Sequence, residues 1–378
     1  MPIEPFRLER YFARYEFSAR YLLSSSDCES LSMQELLSMA DPEMIALWEN
    51  LRLGYTESWG HPLLREEIAR IYQGIEIPGV MEVVPEEGIY LTMRALLQPG
   101  DHVVCTFPGY QSLYEVARSI GCQVSRWEPK EEQGWNFPLA ELSQLIQDNT
   151  RLVVVNFPHN PTGFVPAKDE FLALVDLVRE NGAYLLSDEM YRYLEVKPGT
   201  SLPAACELYE RAISLFGLSK SFGLPGLRVG WLASKDADFL DQISRLKDYT
   251  TICGSAPGEL LAIIALRNRE YILDLQNNRV RRNVAVLDNF FSMHQEMFTW
   301  HAPLGGSICF PRMQGVEDTY TFSEQLVAET GIMMAPSRVF QFGDHHVRIG
   351  VGRENFPQVL ELFGQYLDQH DQGAQHST

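Results

Sequence analysis

Lys220 stands in the run Leu218-Ser219-Lys220-Ser221-Phe222-Gly223-Leu224-Pro225-Gly226-Leu227-Arg228-Val229-Gly230-Trp231. It follows a strand-like apolar segment directly, in a loop of Ser, Gly and Pro that returns to a second strand, for which Arg228 is the expected first residue. An isolated lysine is ordinarily a solvated surface residue. One held in a semi-apolar pocket beside another cation has a lowered pKa, which Schiff-base chemistry requires. Two upstream runs carry complementary groups. Asn156-Phe157-Pro158-His159-Asn160-Pro161-Thr162-Gly163 closes one apolar strand in turn chemistry, and Ser187-Asp188-Glu189-Met190-Tyr191 closes the next. Alone, Asn160 reads as a turn residue and Asp188 as a helix cap. Ligands of open α/β sheets bind outside the carboxyl ends of strands, so Asn160, Asp188, Tyr191 and Lys220 are expected on one rim.

The elements that must build that rim are legible as alternating short β-branched runs and amphipathic stretches, the pattern of a mostly parallel sheet flanked by helices. Strands are expected at 102–106, 123–127, 152–157, 183–187, 212–216 and 228–233. Phe171, Leu174, Val175 and Val178 fall at i, i+3, i+4 and i+7, so a helix with one apolar face joins the third and fourth, stopped by Asn181-Gly182. After Ser255-Ala256-Pro257 the pattern changes. Val280, Val284, Leu287 and Phe291 mark a long helix, followed by strands near 307–310 and 347–351, a helix near 322–329 and a polar tail, 369–378, expected to fray. The expected fold is α/β: a large domain over 31–270, with 1–30 and 271–378 forming a smaller α+β domain.

Composition bounds the function. The chain has 378 residues, with 31 Lys+Arg against 50 Asp+Glu and a net charge of −19. That balance argues against nucleic-acid and anionic-membrane partners, which need a basic face. The longest apolar run, Leu260 to Leu266, is far too short to cross a bilayer. The start of the chain lacks the basic and apolar regions of a secretory signal. Six cysteines without C-x-x-C spacing are expected to be reduced packing residues rather than metal ligands, in a cytoplasmic protein.

The motifs N-P-T-G, D-x-x-Y and S-K-x-x-G-L-P-G-L-R-x-G occur here in the order found in the class I/II aminotransferases, and the chain resembles those fold-type I pyridoxal-phosphate enzymes over nearly its whole length. A narrower likeness, on Leu23–Ser26, Arg151–Gly163 and Gly223–Trp231, is to a member of that family that cyclises a hydroxylated arginine. The resemblance implies pyridoxal 5′-phosphate as cofactor, an amino acid and a 2-oxo acid as substrates, and a homodimer with shared active sites. Lys220 matches the lysine that forms the internal aldimine and then shuttles the proton. Asp188 matches the carboxylate that pairs with the pyridine nitrogen. Asn160 and Tyr191 match the groups that hydrogen-bond the ring oxygen, with Asn160 also at the substrate. Tyr110 matches the stacking aromatic, and Ser219 and Arg228 match phosphate ligands.

Tyr55, in Gly54-Tyr55-Thr56-Glu57, matches a tyrosine that reaches the neighbouring subunit's phosphate. Arg348 matches the arginine that grips the substrate carboxylate, a fork that lysine cannot reproduce. The segment Ser24–Glu29 is expected over the substrate pocket, with Ser26 touching substrate and Asp27 and Glu29 able to select a cationic side chain. The chain departs from the family pattern twice. Val84-Pro85-Glu86 stands where Gly-Ala-Ser normally cradles the phosphate, leaving the amides of Glu86 and Glu87 as the expected contacts, and Gly217 replaces a Ser or Thr.

Two enzymatic readings share this machinery: transamination, and β-elimination, replacement or cyclisation. A cofactor-sensing regulator would need a basic DNA-binding module ahead of the large domain, which 1–30 and the charge of −19 argue against. A catalytically dead scaffold would not need Lys220, Asp188, Asn160, Tyr191 and Arg348 together.

Overall fold

The computed structural model describes residues 2–197 and 199–375, with side chains to residue 370. Seven strands form the central sheet: β1 Val80–Val83, β2 His102–Thr106, β3 Gln123–Trp127, β4 Thr150–Asn156, β5 Tyr184–Asp188, β6 Ala212–Gly217 and β7 Gly230–Ser234. Their order is β1-β7-β6-β5-β4-β2-β3, and β7 runs antiparallel to both of its neighbours while the other pairings are parallel. Both faces are covered, so the strands read as nearly continuous apolar runs. Val103, Cys105, Leu152, Val154 and Leu215 point to one face, where α2 (Pro85–Leu96) and α3 (Ser112–Ile120) pack. Val104, Val153, Val155 and Leu185 point to the other, against α4 (Lys168–Glu180).

On α4 the four residues of the apolar stripe are buried, each contributing roughly 1.5–3 kcal/mol by leaving water. Gly182, at φ +67°, ends that helix region in the left-handed conformation. The apolar run Leu260–Leu266 lies inside α5 (Ala256–Arg267) and is wholly buried. No helix among the described residues is long and apolar enough to cross a membrane. The long helix α6 (Arg269–Met293) buries Val280, Val284, Leu287 and Phe291 in one core. That core also takes Ile308, Ile349 and Phe363, from a short strand β8 (Ile308–Cys309), β10 (Val347–Gly350) and α7 (Phe356–Gln375). A two-residue strand β9 (Ala335–Pro336) pairs with β10 on its other side.

Two local expectations need correction, and one strand is unexpected. Arg228 does not begin a strand: it sits at φ +57° in the turn before β7, which starts at Gly230. The tail is helical to Gln375 rather than frayed from 369, and 376–378 lie outside the described residues. β1 carries no clear strand signal because Glu82 interrupts its apolar run, yet Glu82 is buried with Lys247, whose Nζ lies 2.7 Å from Glu82 Oε2.

Candidate active site

Strand direction gathers the chemistry. Gly217 at the end of β6 pairs with Gly230 at the start of β7, and Val83 at the end of β1 pairs with the same glycine. The carboxyl ends of β1, β4, β5 and β6 therefore meet the amino end of β7 on one rim, and the residues just beyond those ends face a common cavity of about 400 Å3. Asp188, Tyr191, Asn160 and Lys220 all line it, together with Ser219 and Arg228 from the β6–β7 connection. Tyr110, Glu86, Ser26 and Arg348 complete the set of expected residues found in its wall.

Lys220 Nζ donates to Ser26 Oγ at 2.9 Å. Burial, with Arg348 and Arg228 adding to it, pulls the ammonium below its ordinary pKa, against the opposing pull of Asp27 and Glu9. Asp188 is the last residue of β5 and is buried. Its Oδ1 accepts from the Met190 N–H at 3.0 Å, and burial pushes the carboxyl up to about 7. Tyr191 is buried and its phenol is pushed up to about 12, chiefly by burial, so it is a neutral donor. Asn160 Oδ1 accepts from Arg348 Nη1 at 3.3 Å, which leaves the amide N–H2 as the group with donors to spare.

Arg348, on β10, is 1% exposed. Its guanidinium lies 5.4 Å from the ring centres of both Phe12 and Phe340, and Nη2 donates to Ser24 O at 2.9 Å. Its Nε has no hydrogen-bond partner. A buried charged donor left unpaired is costly, so the fork is built to receive an acceptor.

Two expected residues stand outside the cavity. Tyr55 is 90% exposed and does not line the cavity. Glu87 turns its carboxylate away, to the hydroxyls of Thr250 and Thr251 and to Val84 N. Of the segment Ser24–Glu29, Ser26 and Asp27 reach the wall. Glu29 does not: it accepts from Glu354 N at 3.0 Å and faces Arg353. Arg353, five residues after Arg348, is tied to Asp27 at 2.8 Å. Sequence reasoning missed the contribution of helix α1 (Arg7–Tyr15), which brings Glu9 and Phe12 to the wall, and of Glu16 just after it. Tyr110 OH donates to Glu9 Oε1 at 2.9 Å.

The donor set fits pyridoxal phosphate. The lysine supplies an amine of lowered pKa. Asp188 is a buried carboxylate whose satisfaction calls for a protonated ring nitrogen, and the first-turn amides of α2 with Ser219 and Arg228 offer phosphate donors. Sheet, rim and donor set define the class: a fold-type I pyridoxal-phosphate enzyme. Residues 22–361 match the family model for aminotransferase class I and II, and the chain belongs to that family, with pyridoxal 5′-phosphate as its cofactor. It is 31% identical to capreomycidine synthase of Streptomyces vinaceus, across 100% of this chain and 96% of that protein. It is 27% identical to an aspartate aminotransferase of Pyrococcus horikoshii, over 78% of each. A PLP-dependent aminotransferase from Streptococcus suis superposes with a TM-score of 0.91 at 30% identity, over 98% of this chain and 99% of that one. The PLP-dependent cyclase OrfR does so at 0.88 and 27%, over 98% of each.

Proposed function

We propose that the protein is an aminotransferase that moves an amino group between an amino acid and a 2-oxo acid. The observation that supports this is the joint presence in one cavity of Lys220 and of Arg348, whose Nε is unpaired among the described residues: an amine and a carboxylate-binding fork, the two groups a site for an α-amino acid needs. When bound, the cofactor supplies a protonated ring that takes up the electron pair left by Cα–H cleavage. Arg348 binds and orients the α-carboxylate. Lys220 Nζ, an amine of lowered pKa, would take the Cα proton and hold it as the acid of the return transfer. Asp188 accepts the ring N–H and keeps that nitrogen protonated, and the Asn160 amide and Tyr191 hydroxyl donate to the ring oxygen. Tyr110 covers the ring face, while Ser219 and Arg228 bind the phosphate. The test is the absorbance spectrum of the purified enzyme before and after each amino acid of a panel, with the 2-oxo acid product identified. A panel that leaves every spectrum unchanged contradicts the proposal.

A second reading, loss of a leaving group from Cβ followed by replacement or cyclisation on a cationic substrate, is favoured by one observation. Glu9, Glu16 and Asp27 line the cavity, and burial, then Asp27 and Glu9, raise the pKa of Glu16, whose carboxylate has no hydrogen-bond partner among the described residues. A guanidinium or ammonium side chain would relieve that crowding. Since a hydrogen bond to a charged group is worth about 1.5–3 kcal/mol, Glu16→Gln should lower kcat/KM for arginine-like substrates by about ten- to a hundredfold. Alanine-like substrates should be spared, and equal losses on both would remove the selectivity.

We also infer a cytoplasmic homodimer with shared sites, 31–270 being the large cofactor-binding domain and 1–30 with 271–378 the small one. The free cysteines, five of them buried, support the compartment. The exposure of Tyr55 (90%), Leu53 (85%) and Tyr249 (90%) supports the dimer, since large apolar side chains left so open mark association surfaces. Tyr55 would then serve the partner's phosphate. Mixed dimers of a Tyr55→Ala subunit and a Lys220→Ala subunit should recover activity that neither parent has, because one of the two sites is intact; no recovery in verified hybrids counts against sharing.

A further inference from the structure

The two departures from the family pattern meet in space. Pro85, the first residue of α2, seats its ring over Gly217 and Gly230, the paired ends of β6 and β7. A Cβ at Gly217 would lie 2.9 Å from Gly230 Cα, 3.0 Å from Val229 O and 3.2 Å from Pro85 Cγ. One at Gly230 would lie 2.7 Å from Pro85 Cγ and 2.8 Å from Phe216 O. Contacts this short are not relieved by a side-chain rotation, because backbone and a proline ring form them. A hydroxyl-bearing side chain at 217 is thus excluded first by the backbone of the adjoining strand at Val229 and Gly230, and the Pro85 ring closes the remaining side.

The same turn puts Glu86 into the cavity wall on the phosphate side, at the start of α2. Its Oε2 accepts from Ser112 Oγ of α3 at 3.2 Å. The charged and titratable groups around it come from several elements: Glu9 on α1, Asp188 at the end of β5 and Arg228 in the turn before β7. Tyr110, after β2, also feels Glu86. Glu87 on its own helix is turned to Thr250 and Thr251. A carboxylate at this position, already beside Glu9 and Asp188, would repel a phosphate, whereas a carboxylic acid is a donor.

We propose that Glu86 binds the cofactor as a carboxylic acid, donating an O–H hydrogen bond to the phosphate and standing in for the hydroxyl for which there is no room at Gly217. No bond other than a hydrogen bond forms, and the proton stays on Glu86. The proposal rests on pyridoxal phosphate as cofactor and is independent of whether the enzyme transaminates. Burial, with Glu9 and Asp188 adding to it and Ser112 and Arg228 opposing, pushes the Glu86 carboxyl up to about 7 before any phosphate is present, and the phosphate charge raises it further. The sign follows from linkage. The proton is held more tightly with cofactor bound, so this contribution to retention is full at low pH and lost as pH rises through the pKa of the bound state.

The test uses the holoenzyme. The 31P resonance of the bound phosphate should move with pH between about 6 and 9 in the wild type and stay fixed in Glu86→Gln, whose amide donates at every pH. Cofactor half-life on dilution, expressed as the ratio of Glu86→Gln to wild type, should rise by at least about fivefold from pH 6 to pH 8.5, which cancels the pH response of the Lys220 linkage common to both. Glu86→Ala is the second variant: it should also lose the pH response, with shorter retention than Glu86→Gln throughout, since no donor remains. A wild-type resonance that does not titrate, or one that titrates identically in the variants, overturns the proposal, as does an unchanging half-life ratio.

Discussion

Lys220→Ala should lower turnover by at least about 10⁴-fold, the upper end of what one general acid–base group supplies, because the same nitrogen also anchors the cofactor covalently. Folding should be spared. The Lys220 side chain makes one hydrogen bond among the described residues, to Ser26, and its replacement removes a cation whose burial already depresses its pKa. The variant should still hold the cofactor through Asp188, Ser219 and Arg228, without the covalent link. Borohydride treatment separates the two states: in the wild type it should fix a pyridoxyl group on the peptide containing Lys220, and in the variant on none. Small primary amines added to Lys220→Ala should restore part of the rate by taking over the proton transfer. A label on another lysine, or a variant within tenfold of wild type, would remove Lys220 from its assigned role.

Asp188→Ala is expected to cost about two to four orders of magnitude in kcat. Removing one partner of a buried charge pair costs about 3–5 kcal/mol, and each 1.36 kcal/mol is a factor of ten. The position leaves little room for compensation. Asp188 ends β5 at 5% exposure, and Asn156, which pairs with it across the sheet, spends its amide N–H on the Asp188 backbone carbonyl at 3.0 Å. Asn156, its neighbour across the sheet, is an uncharged amide and cannot take over the ring nitrogen. The loss should fall on kcat with a smaller change in KM, since in the proposed site Arg348 rather than Asp188 would meet the substrate carboxylate. Asp188→Glu should recover part of the activity, and an Ala variant impaired only in KM would contradict the ring-nitrogen role.

The rim was readable from sequence because each of its residues sits within a few positions of a strand end. Lys220, Asp188 and Asn160 needed only strand order and direction to come together, and that order follows from short apolar runs separated by a patterned helix such as α4. What could not be read depends on contacts between distant parts of the chain. Helix α1 carries four charged residues in nine, RLERYFARY, and looks like any surface helix. It covers the site because Arg7 N bonds Gln111 at 2.9 Å and Tyr11 OH bonds Met334 O at 2.8 Å. Those contacts bring Glu9 and Phe12 to the wall. Arg353 and Asp27 lie 326 positions apart, so their pairing at 2.8 Å, which separates Asp27 from Glu29 in role, has no local signature. Likewise Val84-Pro85-Glu86 and Gly217 read as two separate losses until the proline ring is seen over both glycines.

Transamination is tested most directly by a single turnover, in which enzyme carrying the aldehyde cofactor is mixed with the amino donor and no 2-oxo acid acceptor. Both routes begin with Lys220 removing the Cα proton, so rate alone does not distinguish them; the fate of that proton and of the amino group does. If Lys220 returns the proton to the cofactor carbon, each site should yield one pyridoxamine phosphate and one 2-oxo acid and then stop until acceptor is added. A dehydrated or cyclised amino acid, formed over many turnovers with the aldehyde cofactor regenerated, would contradict the account.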